Sequence, residues 1–337
     1  MKAIEIQSSF GLDNLRLVER SRPSPGPGEI LLRMKAASLN YRDLLMVKGL
    51  YNPRQALPLV PCSDGVGEVV GLGAGVTRFV KGDRVAPIFA PTWRSGRPTL
   101  SNLWETRGGP LDGTLTEYLV VSEEAAVSVP AYLSDIEAAC LPCAAVTAWT
   151  TLVVEGGLKA GDWVLVQGSG GVSTFALKLC RLFGARAIAI SSSDEKLARL
   201  KELGAVAGIN YTETPRWGRA VRQLTGGQGV DLVVEVGGAE TLAESLAAVG
   251  PGGFIGMIGV LSGTTAPLSF TSVLMKYVRI QGIFVGHRDS FEAMNRAFEA
   301  NEVRPVVDSV YSLAKTRQAF EHLAAGAHFG KVCIELS

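Results

Sequence analysis

Cysteine is scarce in this chain of 337 residues: Cys62, Cys140, Cys143, Cys180 and Cys333 are all there are. They are scattered, odd in number and set in apolar surroundings. That excludes a disulfide scaffold and suits a reducing cytoplasm. The one close pair, Cys140-x-x-Cys143, has no second pair to complete a metal motif. Histidine is scarcer still, at three residues, His287, His322 and His328, all in the C-terminal segment. Excess charge is lacking too. Lys+Arg 33 against Asp+Glu 32 leave a formal net charge of +1, which gives no reason to invoke nucleic acid or an acidic membrane. The start, MKAIEIQSS, reads as an alternating strand rather than a secretory signal. No apolar run is expected to approach membrane-spanning length. What remains is 47% hydrophobic and 19% charged residues, the profile of a globular protein with a large core and, at this length, two domains.

The stretch that organises the chain is Asp162 to Ser173. The apolar run Trp163 to Val166 predicts a buried strand. It ends in Gly168-Ser169-Gly170-Gly171-Val172, after which Phe175, Ala176, Leu179, Leu182 and Phe183 recur at helical spacing. Strand, glycine turn and helix in that order predict a dinucleotide site. Gly168 permits the tight turn and Gly170 lets backbone approach a pyrophosphate. The N–H groups opening the helix then face the anion. Ser173 stands where a third glycine usually allows close packing, so a slightly looser crossing is expected. The competing reading is a plain turn, common in any α/β protein.

Before this stretch the chain is β-rich. Short strands over Lys2–Ile6, Leu15–Val18, Glu29–Met34, Val66–Leu72, Arg84–Val85 and Glu117–Val121 alternate with glycine and proline turns, which suggests a compact barrel or sandwich. Phe89 to Gly113 reads as a long irregular lobe. From Ala144 the rhythm becomes alternating strand and helix, the pattern of a doubly wound parallel sheet. Its strands end at candidate cofactor positions: Tyr211, Val236-Gly237, Gly259-Val260 and Phe284-Val285. The glycines there fit either close approach of a ligand or tight loops.

About twenty residues past the glycine turn, where an acid often holds the ribose hydroxyls, the sequence reads Ser191-Ser192-Ser193. Without that acid a 2′-phosphate is not repelled, and Lys196 or Arg199 can pair with it. This favours NADP over NAD. The alternative is that Ser192 merely caps the helix and Lys196 is solvated.

The order of parts, with the runs Gly82-Asp83-Arg84-Val85, Ala145-Val146-Thr147-Ala148-Trp149 and Gly330-Lys331-Val332, resembles the medium-chain dehydrogenase/reductase superfamily along essentially the whole chain. The zinc-free, quinone oxidoreductase-like branch is the nearest look. The resemblance implies an α/β protein with a GroES-like β-rich catalytic domain, residues 1–143 and 287–337, and a Rossmann domain, 144–286. It also implies an active site in the cleft between them, Thr147 and Lys331 on the cofactor side, His287 flanking that cleft, and a homodimer formed through the nucleotide domains. Zinc enzymes of the superfamily hold catalytic metal with a Cys, a His and a second Cys. Here those slots match Asn40, the run Cys62-Ser63-Asp64, and Cys143. One thiolate with an amide and a hydroxyl is a poor zinc set, so no metal is expected, although Asp64 leaves a degenerate site open. The lobe that carries structural zinc in that family has no cysteine here.

Without a metal, charge on a carbonyl acceptor must fall on hydrogen-bond donors. The resemblance and the chemistry together nominate Asn40, Tyr51 and Ser63, with Asp43 orienting them. Weak neutral donors suit quinones and α,β-unsaturated carbonyls, which spread the developing charge. The expected function is therefore NADPH-dependent hydride transfer to such acceptors. A zinc-type alcohol dehydrogenase with an altered site and a non-catalytic NADPH-binding protein are the alternatives.

Overall fold

The computed structural model describes residues 1–336. The chain divides into two compact units, residues 1–146 with 286–337 and residues 147–285. The exchanges fall within three residues of those expected from sequence.

The first unit is built on a seven-stranded sheet. Its centre is the strand Glu29–Leu39, longer than its apolar core suggested. This strand pairs antiparallel with Asp64–Leu72, with Tyr118–Ser122 and with Lys331–Glu335. The burial of Ile30, Leu32, Met34 and Leu39 explains why it is central: these side chains meet Ile6, Leu59, Phe320 and Ile334 in one apolar cluster. The sheet continues through Arg84–Pro87 to Ala126–Ser128. At the other edge Val307–Ser312 runs parallel to Lys331–Glu335, joined by the helix Thr316–Ala324. Register matters most at the end of the central strand. Ser38 lies opposite Asp64 and Leu39 opposite Val332. Asn40, Ser63, Asp64 and Lys331, distant in sequence, are thereby delivered to one place. The irregular lobe carries one short helix, Leu100–Trp104, with a Thr99 capping box.

The second unit has six parallel strands. In space they run Ala205–Asn210, Arg186–Ser191, Trp163–Gln167, Val230–Glu235, Val249–Met257, Arg279–Gly282. Numbered along this unit, the order is three-two-one-four-five-six, the Rossmann arrangement, whose ligand crevice lies outside the carboxyl ends at the reversal between strands one and four. Leu165, Ile188, Val233 and Ile255 sit in its core with Trp217 and Val221.

One expectation is corrected. The helical run Asp135–Glu155 is long and apolar enough to pass a membrane-span test, but 78% of its most apolar window is buried inside the protein. It reads as a core helix.

Candidate active site

The polar cluster of the first unit starts from the helix Tyr41–Val47. Asn40 is its N-cap and Asp43 its third residue, and together they form a capping box. Asp43 Oδ2 accepts from Asn40 N at 2.8 Å and Oδ1 from Ser63 N at 3.2 Å. The fully buried Asp43 therefore fixes two loops at once. Burial pushes its pKa up to about 6, against the pull of Arg42 and with the charge of Asp64 adding to the rise. Arg42 lies 3.5 Å from Asp43 and donates to the carbonyls of Arg107 and Gly109. Its guanidinium covers the Tyr51 ring at 4.6 Å. Tyr51 itself is 42% exposed.

Cys62 turns the chain with φ 77, a left-handed backbone uncommon for a non-glycine residue. Gly113 lies so close beneath it that an added Cβ would sit 2.1 Å from the Cys62 carbonyl oxygen. The turn presents Ser63, whose hydroxyl donates to Asp64 Oδ1 at 2.8 Å and accepts from Asn40 Nδ2 at 3.3 Å. Asp64 Oδ2 accepts from Cys143 N at 3.0 Å. Lys331, 3% exposed, donates from Nζ to the Leu39 carbonyl at 2.7 Å and to Asn40 Oδ1 at 2.5 Å, and stands 4.0 Å from Asp64. Burial works to strip its proton, and the Asp64 carboxylate, followed by neighbouring sulfurs, outweighs that; the pKa moves up. Burial pushes the Cys143 thiol up as well.

Zinc requires about three strong donors and an open position. The groups here are an amide, a carboxylate already engaged by two donors and an ammonium, and a thiol that resists ionisation. They do not fit that ion. Among the described residues no group of three His, Cys, Asp or Glu side chains could hold a metal.

In the second unit the glycine turn follows the buried strand as expected. Gly168 has φ +70, and a Cβ added at Gly168 or Gly170 would meet no protein atom within 4 Å. The space above the turn is therefore open to a ligand that side chains would otherwise fill. The helix Gly171–Phe183 begins there, its first turn formed by Val172, Ser173 and Thr174. Its leading N–H groups lack intrahelical acceptors, the usual setting for a phosphate. Ser169 is buried beside them. Ser173 does more than replace a glycine: its hydroxyl donates to the Gln167 carbonyl at 2.6 Å, tying helix to strand where a looser crossing was expected. A nicotinamide dinucleotide fits this cradle.

Two residues that sequence reasoning missed hold the strand ends. Glu235, fully buried, accepts at Oε1 from Gly237 N, Gly238 N and Thr241 Oγ1, and at Oε2 from Gln167 Nε2 and Ser245 Oγ. Gln167 Oε1 in turn accepts from Val236 N and Gly237 N. The signal was there: a carboxylate closing the apolar run Leu232 to Val234. The glycines at these ends have packing reasons. A Cβ on Gly237 would strike Thr241, and one on Gly259 would lie 2.1 Å from the Val236 carbonyl oxygen. Val260 is 43% exposed. Val285 holds φ 50, just after Phe284.

At the second strand Ser191 is buried and its hydroxyl accepts from Ser193 N. Ser193, not Ser192, caps the next helix by accepting from Lys196 N. Ser192 is left exposed, and Tyr211 N donates to the Ser191 carbonyl alongside it. Thr147 is buried, its carbonyl accepting from Thr151 Oγ1 at 2.7 Å. Lys331, expected on the cofactor side, has its ammonium engaged by the first unit's cluster. His287, expected to flank the cleft, is the N-cap of the helix Arg288–Asn301, accepting from Ser290 N and lying edge-on to Trp93.

The comparisons with known proteins agree with both units. The alcohol dehydrogenase GroES-like domain family matches residues 26–131, and the zinc-binding dehydrogenase family matches 171–300. A zinc-type alcohol dehydrogenase-like protein of Schizosaccharomyces pombe is 43% identical, covering 97% of this chain and 96% of its own. Acryloyl-coenzyme A reductase of Metallosphaera sedula is 30% identical over 99% of both. Among solved structures, a Sinorhizobium meliloti 1021 protein provisionally named an alcohol dehydrogenase superposes with TM-score 0.93 at 42% identity, covering 100% and 99% of the two chains. An NAD-dependent alcohol dehydrogenase gives TM-score 0.91 at 35% identity over the whole of both chains. The 2-octenoyl-CoA carboxylase reductase CinF, solved with NADP and 2-octenoyl-CoA, gives TM-score 0.89 at 26% identity, covering 99% of this chain and 87% of its own.

Proposed function

Since the chain belongs to the medium-chain dehydrogenase/reductase superfamily and is an NAD(P)-dependent oxidoreductase of that group, we propose that it reduces conjugated carbonyl compounds, quinones or α,β-unsaturated acyl acceptors, with NADPH and without a catalytic metal. The observation that carries this reading is the Lys331–Asn40–Ser63–Asp64 cluster, where an amide, a hydroxyl and a carboxylate stand at positions that match the metal slots and an internal cation lies against them.

When bound, the reduced nicotinamide supplies a hydride. Asn40 is half-buried and has two amide protons, one engaged by Ser63. The other faces the Asp64 carboxylate, so the proton in the long 3.3 Å contact to Ser63 is the one that turns to the acceptor oxygen as charge develops there. Asp43 keeps the Asn40 and Ser63 backbones in register, and Arg42 with Tyr51 forms the cluster's outer wall. Two similar proteins whose names specify enoyl-CoA acceptors support the conjugated substrate. The exposed Ser192 and the half-buried Lys196, with no acid at the strand end, support NADP.

We also propose a homodimer. The sheet edge Arg279–Gly282 and the preceding helix present Phe270, Leu274, Met275 and Tyr277, each at least 74% exposed. The reducing cytoplasm remains our proposed compartment, since the five thiols carry no disulfide.

The test is NADPH oxidation against quinones, enals and enoyl thioesters, alongside metal analysis of the purified protein. Turnover with at least one conjugated class and no stoichiometric zinc is expected. Turnover of simple alcohols together with bound zinc would replace this reading by a zinc-type alcohol dehydrogenase.

A further inference from the structure

Lys331 belongs to the strand Lys331–Glu335, among Val332, Cys333 and Ile334, each fully buried. Gly330 brings the chain in with φ +93, and an added Cβ there would lie 2.3 Å from the Val306 carbonyl oxygen. Lys331 N then donates to that same carbonyl at 2.9 Å. The strand start is fixed, so the side chain has one direction to go. An ammonium has three protons and no acceptor. Two of its neighbours are carbonyl oxygens, of Leu39 and of the Asn40 side chain, and the third is the Asp64 carboxylate at 4.0 Å. Taking this charge out of water costs several kcal/mol unless such partners compensate.

The arrangement has a directional consequence. Only the oxygen of an amide can face an ammonium. The Asn40 amide is therefore forced to turn Oδ1 toward Lys331 and Nδ2 toward Ser63. Flipping it would set Nδ2 against Nζ, donor against donor. The pull of the cation on Oδ1 also polarises the amide and strengthens Nδ2–H as a donor. We propose that Lys331 is a positioning residue: a buried cation that locks the Asn40 amide with Oδ1 toward itself and Nδ2 toward Ser63, and stands beside Asp64 as a fixed positive charge. The kinetic part of this inference rests on the reductase reading above; the orientation of Asn40 does not.

The experiment uses the full-length protein. Lys331→Met alone leaves Asp64 buried and unpaired, so the working variant is Lys331→Met/Asp64→Asn, which removes both charges, with Asp64→Asn alone as reference. Two quantities are read. One is kcat and acceptor KM with NADPH. The other is the Asn40 side-chain amide resonance, assigned through its loss in Asn40→Asp. In Asp64→Asn the ammonium still holds Oδ1, and the resonance stays near its wild-type position. In the double variant it shifts and its protons exchange faster, while kcat falls about 100-fold or more below the reference, the loss typical of a misaligned oxyanion donor, and acceptor KM changes less. An unmoved resonance, or a kcat within about threefold of the reference, overturns the proposal. If the wild-type protein reduces no conjugated acceptor, the reductase reading falls, and the resonance still decides the orienting role of Lys331.

Discussion

Replacing Glu235 by Gln probes the node that holds the cofactor crevice together. The carboxylate accepts five hydrogen bonds: three on Oε1, from Gly237 N at 2.9 Å, Gly238 N at 3.0 Å and Thr241 Oγ1 at 2.5 Å, and two on Oε2, from Gln167 Nε2 at 2.7 Å and from Ser245 Oγ. An amide has only one oxygen. If that oxygen keeps the three loop donors, its nitrogen confronts Gln167 Nε2. Ser245 can rotate to accept, but Gln167 cannot flip, because its own oxygen already serves Val236 N and Gly237 N. One buried N–H is then unmatched, at a cost of about 1–3 kcal/mol, and each loop bond loses its charge assistance, roughly 1 kcal/mol apiece. Relief from burying a charge offsets part of this. The net expectation is a destabilisation of about 2–3 kcal/mol, within the range for breaking a buried network. For a chain of 337 residues that corresponds to a melting midpoint lowered by about 3–4 °C. Because Gln167 leads directly into the Gly168 turn, NADPH binding weakens as well. The assay is thermal unfolding by circular dichroism, paired with a fluorescence titration of NADPH. A midpoint within about 1 °C of wild type and an unchanged Kd would refute the reasoning.

Four further outcomes are expected. Asp43 has a folded-state pKa pushed up to about 6, above the ordinary carboxylate value of about 3.9. The folded state therefore holds the extra proton between those values. This group's stabilising contribution is complete below the lower one and declines, by up to about 3 kcal/mol, as pH rises through the upper one. A carbon-13 carboxyl titration with its midpoint near the ordinary value would contradict it. Gly113→Ala forces a Cβ to 2.1 Å from the Cys62 carbonyl oxygen, so a loss of at least about 2 kcal/mol in denaturant unfolding is expected, and a neutral result would show that the loop can yield. Lys196→Ala lowers affinity for NADPH several-fold and spares NADH; an equal effect on both would mean that Lys196 does not face the 2′-phosphate. Leu274→Lys/Tyr277→Lys, at side chains 75% and 88% exposed, converts the proposed dimer to monomer by light scattering, whereas an unchanged mass would refute an interface at this edge.

The second unit was far more legible in the sequence than the first. Parallel strands buried on both faces read as unbroken apolar runs, and the glycine turn sits at a fixed place in that rhythm. Boundaries slipped where pairing continued beyond the apolar run. Val249–Met257 begins five residues before Phe254 because Val249 pairs with Val230 across a bulge. The central strand of the first unit extends to Leu39 for the same reason: Ser38 is polar but pairs with Asp64. The strand Val307–Ser312 and helix Thr316–Ala324 were not anticipated, since an edge strand half exposed along its length shows little alternation. The roles of Lys331 and Glu235 were hidden for a different reason. Each is a charged residue at the end of a largely apolar strand, and what it pairs with is fixed by register over long sequence separations, 291 residues for Lys331 with Asn40 and 68 for Glu235 with Gln167. Asn40, Asp43 and Ser63 could be nominated by resemblance, but only the register shows that they share one hydrogen-bonded cluster.

The two units solve a common problem in the same way, and this separates scaffolding from chemistry. A loop at the end of a strand exposes backbone N–H groups that need acceptors. In the first unit Asp43 gathers Asn40 N and Ser63 N, and Asp64 takes Cys143 N. In the second, Glu235 gathers Gly237 N and Gly238 N. All three carboxylates are fully buried, with their oxygens committed to donors. A carboxylate held this way is a poor proton shuttle and a poor metal ligand, because either task would release the loop it secures. Ligand binding is left to what they do not occupy: the half-buried Asn40 amide, held by Ser63 at only 3.3 Å, and the open space over Gly168 and Gly170. A neutral donor of that kind stabilises a charge spread over a conjugated system better than the concentrated charge of a simple alkoxide, and the proposed preference for conjugated acceptors rests on that difference.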